Sequence, residues 1–200
     1  MTRPFLLGLT GSIGMGKSTT AAMFRDEGVP VWDADAAVHR LYGIGGAAVP
    51  AIGALHPGAV VAGAVDRARL KHWIAADRTA LKRIEEAVHP LVAEDRAAFI
   101  EAAAQAGAPI VVLDIPLLFE TGADAGMDAT LVVSVPAEIQ RQRVLARPGM
   151  TEAQLDFILA RQMPDAEKRT RATWVIETLD LEGTRAAVRK LIQRIEDEHA

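Results

Sequence analysis

Phe5-Leu6-Leu7-Gly8-Leu9-Thr10-Gly11-Ser12-Ile13-Gly14-Met15-Gly16-Lys17-Ser18-Thr19 is the stretch whose reading decides the fold. An apolar run, Phe5 to Leu9, leads into a full match to G-x-x-x-x-G-K-[ST] at Gly11 to Ser18. A helical pattern follows from Ser18 to Glu27, with Gly28 as its C-terminal cap. Gly11, Gly14 and Gly16 permit a tight turn in which consecutive backbone N–H groups, that of Met15 included, face phosphate oxygens. The helix opening near Lys17 adds its positive dipole end. Lys17 supplies a cation for β- and γ-phosphates, Ser18 a hydroxyl ligand for Mg²⁺, and Thr19 a contact to an α-phosphate.

Three more apolar runs, Val29 to Trp32, Ile110 to Leu113 and Leu131 to Val135, alternate with helical patterns, and a shorter one spans Trp174 to Ile176. That is the pattern of buried parallel strands, so the expected fold is α/β, a P-loop NTPase three-layer fold with a parallel five-stranded sheet. About 75 residues separate the second and third strands, far more than the roughly 10 to 12 of a minimal crossover, and they read as a helical insertion at about 37–107. The insertion holds Gly43, Gly45 and Gly46, a break at Pro50 and a loose loop from Gly58 to Gly63. Helical stretches from Ala68 to Val88 and from Pro90 to Ala106 complete it. A second helical region, about 137–172, is read as Ala137 to Arg147, a Pro148-Gly149 turn, Glu152 to Gln162, and a break at Met163-Pro164. Gly183 to Glu198 carries Val188, Leu191, Ile192 and Ile195 on one face and should pack on the sheet. The core of this single domain is expected at about 1–36, 108–136 and 173–200.

The 200 residues are 50% hydrophobic and 24% charged, with a net charge of −4, which leaves no global basic footprint for nucleic acid. There is no cysteine, which excludes a disulfide framework, a thiolate nucleophile and a thiolate zinc site. Neither a membrane span nor a signal peptide is legible, so a soluble, cytoplasmic protein is expected, without membrane or nucleic-acid partners. Nothing in the sequence indicates an oligomer.

The sequence has no asparagine, so the Asn-Lys-x-Asp loop of guanine-specific proteins is closed to it and ATP is the expected nucleotide. Asp114 closes the strand Ile110-Val-Val-Leu and is placed to orient Mg²⁺ or its waters, the alternative being a cap on the turn before Pro116. Trp32-Asp33-Ala34-Asp35 puts carboxylates at the carboxyl edge of the sheet, where open α/β sheets bind ligands. Asp33 is the candidate base for an attacking hydroxyl. Asp35 either assists substrate or metal placement or caps the helix running to Leu41.

These residues resemble the dephospho-coenzyme A kinase family. The resemblance runs through Gly8 to Thr19, Asp33-Ala-Asp35, Asp66-Arg67 with Leu70, and His89-Pro90. It continues in Pro116-Leu-Leu-Phe-Glu120, Gln140 with Arg143, Arg147, and the helix ending in Arg161-Gln162. It implies phosphorylation of the ribose 3′-hydroxyl of dephospho-coenzyme A by ATP, with those two small molecules as the partners and Mg²⁺ assisting. It also implies that the insertion binds the acceptor and that the 137–172 region is a mobile lid. Asp35, His89, Pro116, Leu117 and Glu120 would then contact the acceptor. Without the resemblance, His89 reads as a helix-ending residue and Pro116 to Glu120 as a buried loop with one capping Glu. Arg141, Arg143 and Arg147 read either as a solvated charge run or as lid cations, Arg147 toward the migrating phosphoryl group and Arg143 toward the nucleotide.

The sequence departs from the family in two places. Where the family often has an apolar pair followed by Asp-Asn, this chain has Val175-Ile176-Glu177-Thr178, so any base contact through that asparagine is replaced or lost. Gly149 follows Pro148, where the family tends to have an acidic residue before its glycine. Two rival readings stand beside the kinase of dephospho-coenzyme A: a kinase of another small metabolite, and an ATP-binding regulator.

Overall fold

A computed structural model describes residues 3–199; Met1, Thr2 and Ala200, which fall in the expected core ranges, lie outside the described residues. The chain divides into two units, one of Met1–Trp32 with Ala103–Ala200 and one of Asp33–Ala102. The second starts and ends a few residues before the expected insertion.

The first unit is built on a five-stranded parallel sheet. In chain order its first elements are β1 (Phe5–Thr10), α1 (Lys17–Asp26) and β2 (Val31–Asp33). The second unit then runs α2 (Ala34–Tyr42), α3 (Ala48–Leu55), a 3₁₀ turn at Pro57–Ala59, β3 (Val60–Val61), β4 (Ala64–Val65) and α4 (Arg67–Ala76). Helix α5 (Ala80–Gln105) leads back to β5 (Ile110–Asp114), β6 (Ala129–Ser134), α6 (Ala137–Leu145), α7 (Glu152–Leu159), α8 (Asp165–Arg171), β7 (Trp174–Glu177) and α9 (Leu181–His199).

The strand order is β2-β5-β1-β6-β7, with β1 parallel to both neighbours: Leu7 pairs with Val112 on β5 and with Ala129 on β6. Every residue of β5 and β6 is buried, so both faces of the central strands are covered, and this explains why their sequences are continuous apolar runs without alternation. On one face Leu7, Leu9, Ile110, Val112, Leu131 and Val133 pack with Phe24 of α1 and Val188, Leu191 and Ile195 of α9. Phe24 is fully buried there, and Phe24→Ala would cost about 3–5 kcal/mol. The five expected strands are all present, each with one or both ends shifted by one or two residues, and the apolar face read from Val188 to Ile195 is the one that packs.

The second unit has its own core of Leu41, Tyr42, Ile52, Val65, Leu70, Trp73, Ile84 and Val88. His56 stacks on Trp73 with ring centroids 4.7 Å apart. Gly46 is required where it stands: a Cβ there would lie 2.2 Å from the carbonyl oxygen of Leu41, at the turn after α2.

Three expectations for this unit are corrected. The loop from Gly58 to Gly63 is ordered as the 3₁₀ turn and a β3–β4 hairpin, with Ala62 (φ 49°) and Gly63 (φ 77°) forming its two-residue turn. The helix break expected at His89-Pro90 is absent, and α5 runs through Pro90. Pro90 and its neighbour Glu86 are exposed, so water can satisfy the carbonyl that loses its N–H donor. The break lies instead at Asp77-Arg78-Thr79, where the Asp77 carboxylate accepts from Thr79 N at 2.8 Å and from Thr79 Oγ1 at 2.7 Å. The cap of α2 is Asp33, whose side chain accepts from Ala36 N at 2.9 Å, with Asp35 in the first turn. Asp35 is therefore not the N-cap.

Candidate active site

The loop from Gly11 to Gly16 joins the carboxyl end of β1 to the N-terminus of α1, as a phosphate-binding turn requires. Gly14 and Gly16 have φ of 80° and 87°, left-handed values that glycine adopts without strain. Gly16 is also constrained by space, since a Cβ would lie 2.7 Å from Thr178 Oγ1. The Lys17 ammonium pairs with the carboxylate of Asp114, which is 1% exposed at the end of β5. Charge neutralisation in a buried place explains why strand β5 ends on an aspartate without leaving an unpaired anion. Ser18 and Thr19 are exposed in the first turn of α1.

The loop is held by side chains from distant segments. Gln140 Nε2 of α6 donates to Ile13 O at 2.7 Å, and Ile13 N–H donates to Gln162 Oε1 at 3.1 Å. Thr178 Oγ1 donates to Met15 O at 2.8 Å. The Met15 side chain is itself buried, its sulfur accepting from Val135 N. Thr178 stands where the family often has asparagine, and here its hydroxyl serves as a buttress of the loop.

A cavity of about 340 Å³ adjoins this loop, lined among others by Gly14, Thr19, Arg143, Arg147, Leu179 and Leu181. Arg143 donates to Thr178 O at 2.7 Å and to Leu179 O at 3.2 Å, which fixes the 178–179 backbone at the wall. Arg147 lies past the end of α6, exposed. The cavity therefore presents two guanidinium groups and exposed leucines beside the phosphate loop, a combination suited to a nucleoside triphosphate.

The 116–120 segment follows β5. Pro116 is half-buried, Leu117 is 40% exposed, and Leu118 and Phe119 are buried. Glu120 is turned to α8: its Oε1 accepts from Met163 N at 2.8 Å and lies 2.8 Å from Nζ of Lys168, a fully buried lysine. Burial by itself raises the Glu120 pKa, but hydrogen bonds from Lys168 and Met163 and the lysine's charge outweigh it, holding the carboxyl below its ordinary value. Glu120 thus belongs to the frame that holds α8. In the second unit, Asp33 is half-buried as the cap of α2, while Asp35 and His89 are exposed.

Among the described residues, no group of three or more His, Asp or Glu side chains is placed to hold a metal ion. Mg²⁺ does not need one, because it keeps several waters and takes one or two protein oxygens plus those of phosphate. The Ser18 hydroxyl, in the first turn of α1, and the Asp114 carboxylate, at the end of β5, are hard oxygen donors, and they fit that requirement.

The sequence reading passed over the roles of Thr178 and Lys168. Gln140 and Gln162 stood within the family pattern with no role given to them. A buried lysine in so charged a helix as α8 leaves no periodic signature, and the Thr178 bond spans 163 residues.

The dephospho-CoA kinase family model matches residues 5–181. A dephospho-CoA kinase of Cereibacter sphaeroides is 65% identical over 195 residues, covering 98% of each chain. The crystal structure of TT1252 from Thermus thermophilus superposes with a TM-score of 0.81 at 39% identity, covering 96% of this chain and 98% of that one. A dephospho-CoA kinase of Campylobacter jejuni, 22% identical, shares the fold with a TM-score of 0.73 over 98% of both chains.

Proposed function

The chain belongs to the dephospho-CoA kinase family, and we propose that it phosphorylates the ribose 3′-hydroxyl of dephospho-coenzyme A with ATP, the last step of coenzyme A synthesis, through the groups named below. The observation that carries the proposal is the meeting, at one end of the sheet, of a complete phosphate loop, the Lys17–Asp114 pair and a cavity with Arg143 and Arg147.

In this reading the N–H groups from Gly14 to Thr19 and the α1 dipole hold the β-phosphate, and Lys17 shifts its ammonium from Asp114 toward the γ-phosphate oxygens. Ser18 and Asp114 would hold Mg²⁺, which when bound neutralises charge between the β- and γ-phosphates. Phosphoryl transfer has a loose transition state, so positioning and charge neutralisation supply most of the rate. Arg143 fixes the wall around the nucleotide, and Arg147, just before the Pro148-Gly149 turn, neutralises the migrating group. Asp33 accepts or orients the proton of the attacking hydroxyl. Asp35, His89, Pro116 and Leu117 contact the acceptor. No helix among the described residues is long and apolar enough to cross a membrane, and we place the reaction in the cytoplasm, with both substrates small and water-soluble.

The test is ADP release measured with dephospho-coenzyme A, nucleoside monophosphates and simple sugar acids offered in parallel. Turnover with dephospho-coenzyme A alone is expected. Turnover with another acceptor and none with dephospho-coenzyme A would replace this reading with a kinase of a different metabolite.

A further inference from the structure

We infer that Gln162 is a positioning residue, which aims the phosphate loop through the backbone of Ile13 and is held for that task by Glu120 and Lys168. The inference rests on the proposed phosphate-loop chemistry and adds a group that never touches the nucleotide.

Ile13 is held on both sides. Its N–H belongs to the peptide unit with Ser12, and its C=O to the peptide unit with Gly14. Gln162 Oε1 accepts from the first and Gln140 Nε2 donates to the second, so both peptide planes flanking one Cα are pinned, and with them φ and ψ of Ile13. The first plane is held a second time, since Ser12 O accepts from Met15 N at 3.1 Å. An N–H only donates and a C=O only accepts, so the orientation of each glutamine amide is fixed by its partner.

The consequence falls on Gly14. A trans peptide carries its C=O and N–H on opposite sides, so anchoring Ile13 O on Gln140 turns the Gly14 N–H the other way. Gly14 is a glycine at φ 80°, with no Cβ to limit its rotation, and the orientation of its N–H therefore depends on what fixes the preceding plane. Preorganised N–H donors contribute most when nothing has to reorient as charge develops. Gln140 sits on a helix. Gln162 follows α7, in a connection with no regular structure, and needs another anchor.

That anchor is the neighbouring residue. Met163 N–H donates to Glu120 Oε1, and the same oxygen is ion-paired with Lys168, which is 0% exposed. A buried cation with one carboxylate partner holds that partner firmly, because separating them strands a charge away from water. The 162–163 dipeptide thus joins the phosphate loop, through a side chain, to the segment after β5, through its backbone.

The experiment compares wild type with Gln162→Leu and Gln162→Glu in steady-state turnover of dephospho-coenzyme A and in hydrogen exchange at the Ile13 amide. Gln162→Leu removes the acceptor. It should lower kcat about 10- to 100-fold, the cost of a misplacement of about 1 Å, with the acceptor KM unchanged within about twofold. It should also speed exchange at Ile13 at least about tenfold. Gln162→Glu keeps an oxygen for Ile13 N–H, so protection at Ile13 should return and kcat should recover to within a few-fold. Unchanged Ile13 exchange in a folded Gln162→Leu protein overturns the inference whatever the acceptor proves to be. A kcat loss that Gln162→Glu fails to restore while Ile13 is protected also overturns it. A wild type that leaves dephospho-coenzyme A unphosphorylated overturns the functional reading alone.

Discussion

The two units carry their polar side chains differently. At the phosphate loop the groups that frame it are bonded within the protein: Ile13 by two glutamines, Met15 O by Thr178, Lys17 by Asp114, and the 178–179 backbone by Arg143. In the 33–102 unit the groups assigned to the acceptor are less engaged, with Asp35 and His89 exposed and Asp33 half-buried as a helix cap. The difference follows from what each set must do. Donors that stabilise developing charge lose their value if they have to reorganise, whereas groups that recognise a hydroxylated acceptor can exchange water for ligand at small cost.

Substitutions should therefore act differently in the two places. The largest expected effect is on the acceptor side: Asp33→Asn keeps an N-capping side chain, so folding and ATP binding should hold while kcat falls about 10²- to 10⁴-fold. Near-normal turnover would remove Asp33 from the reaction. Lys17→Ala should lower kcat about 10³-fold and weaken ATP in a direct titration; unchanged ATP binding would break the phosphate-loop assignment. Arg147→Ala, at an exposed position, should cost about tenfold or more in kcat and leave Tm unaltered. Smaller and mixed is Thr178→Val, which removes the bond to Met15 O. It should lower stability by about 1 kcal/mol and raise the KM for ATP a few-fold, the double signature expected only of the bonded unit.

The last expectation concerns pH. Glu120 titrates below its ordinary value in the folded protein, so its contribution to stability is complete above the unfolded pKa, about 4.3, and disappears as pH falls through the lower folded value. Glu120→Gln should have a lower Tm than wild type at pH 7, and the gap should close as pH falls through the lowered folded value. A gap independent of pH would mean that the carboxylate's charge is not what holds Lys168.

The sheet unit is readable in the sequence because its signals are local: an apolar run, a glycine turn, a helix start. Phe5 to Ser18 alone places β1, the loop and α1. The other unit was legible only as helical, since a hairpin with two residues per strand has too few positions for alternation to register. Pro90 misled for a physical reason: proline breaks a helix by orphaning a carbonyl, and on an exposed face water answers that carbonyl. Of the site, Lys17, Asp114 and the glycines are marked by their motif. Gln162 and Lys168 act through bonds whose partners lie 149 and 48 residues away, and no periodicity announces such a pair.

The strand order has a consequence for how the protein is made. β1 leaves the ribosome well ahead of both strands that flank it in the sheet, which lie beyond residue 109, and of the side chains gripping its loop, at 140, 162 and 178. At synthesis rates of about 5–20 residues per second, the nascent chain carries an unassembled nucleotide loop for on the order of ten seconds or more. The 33–102 segment, whose core contacts are internal, can fold during that wait. Assembly in the cell thus runs opposite to the reading of the sequence, with the part that declares itself first in the text completed last in the molecule.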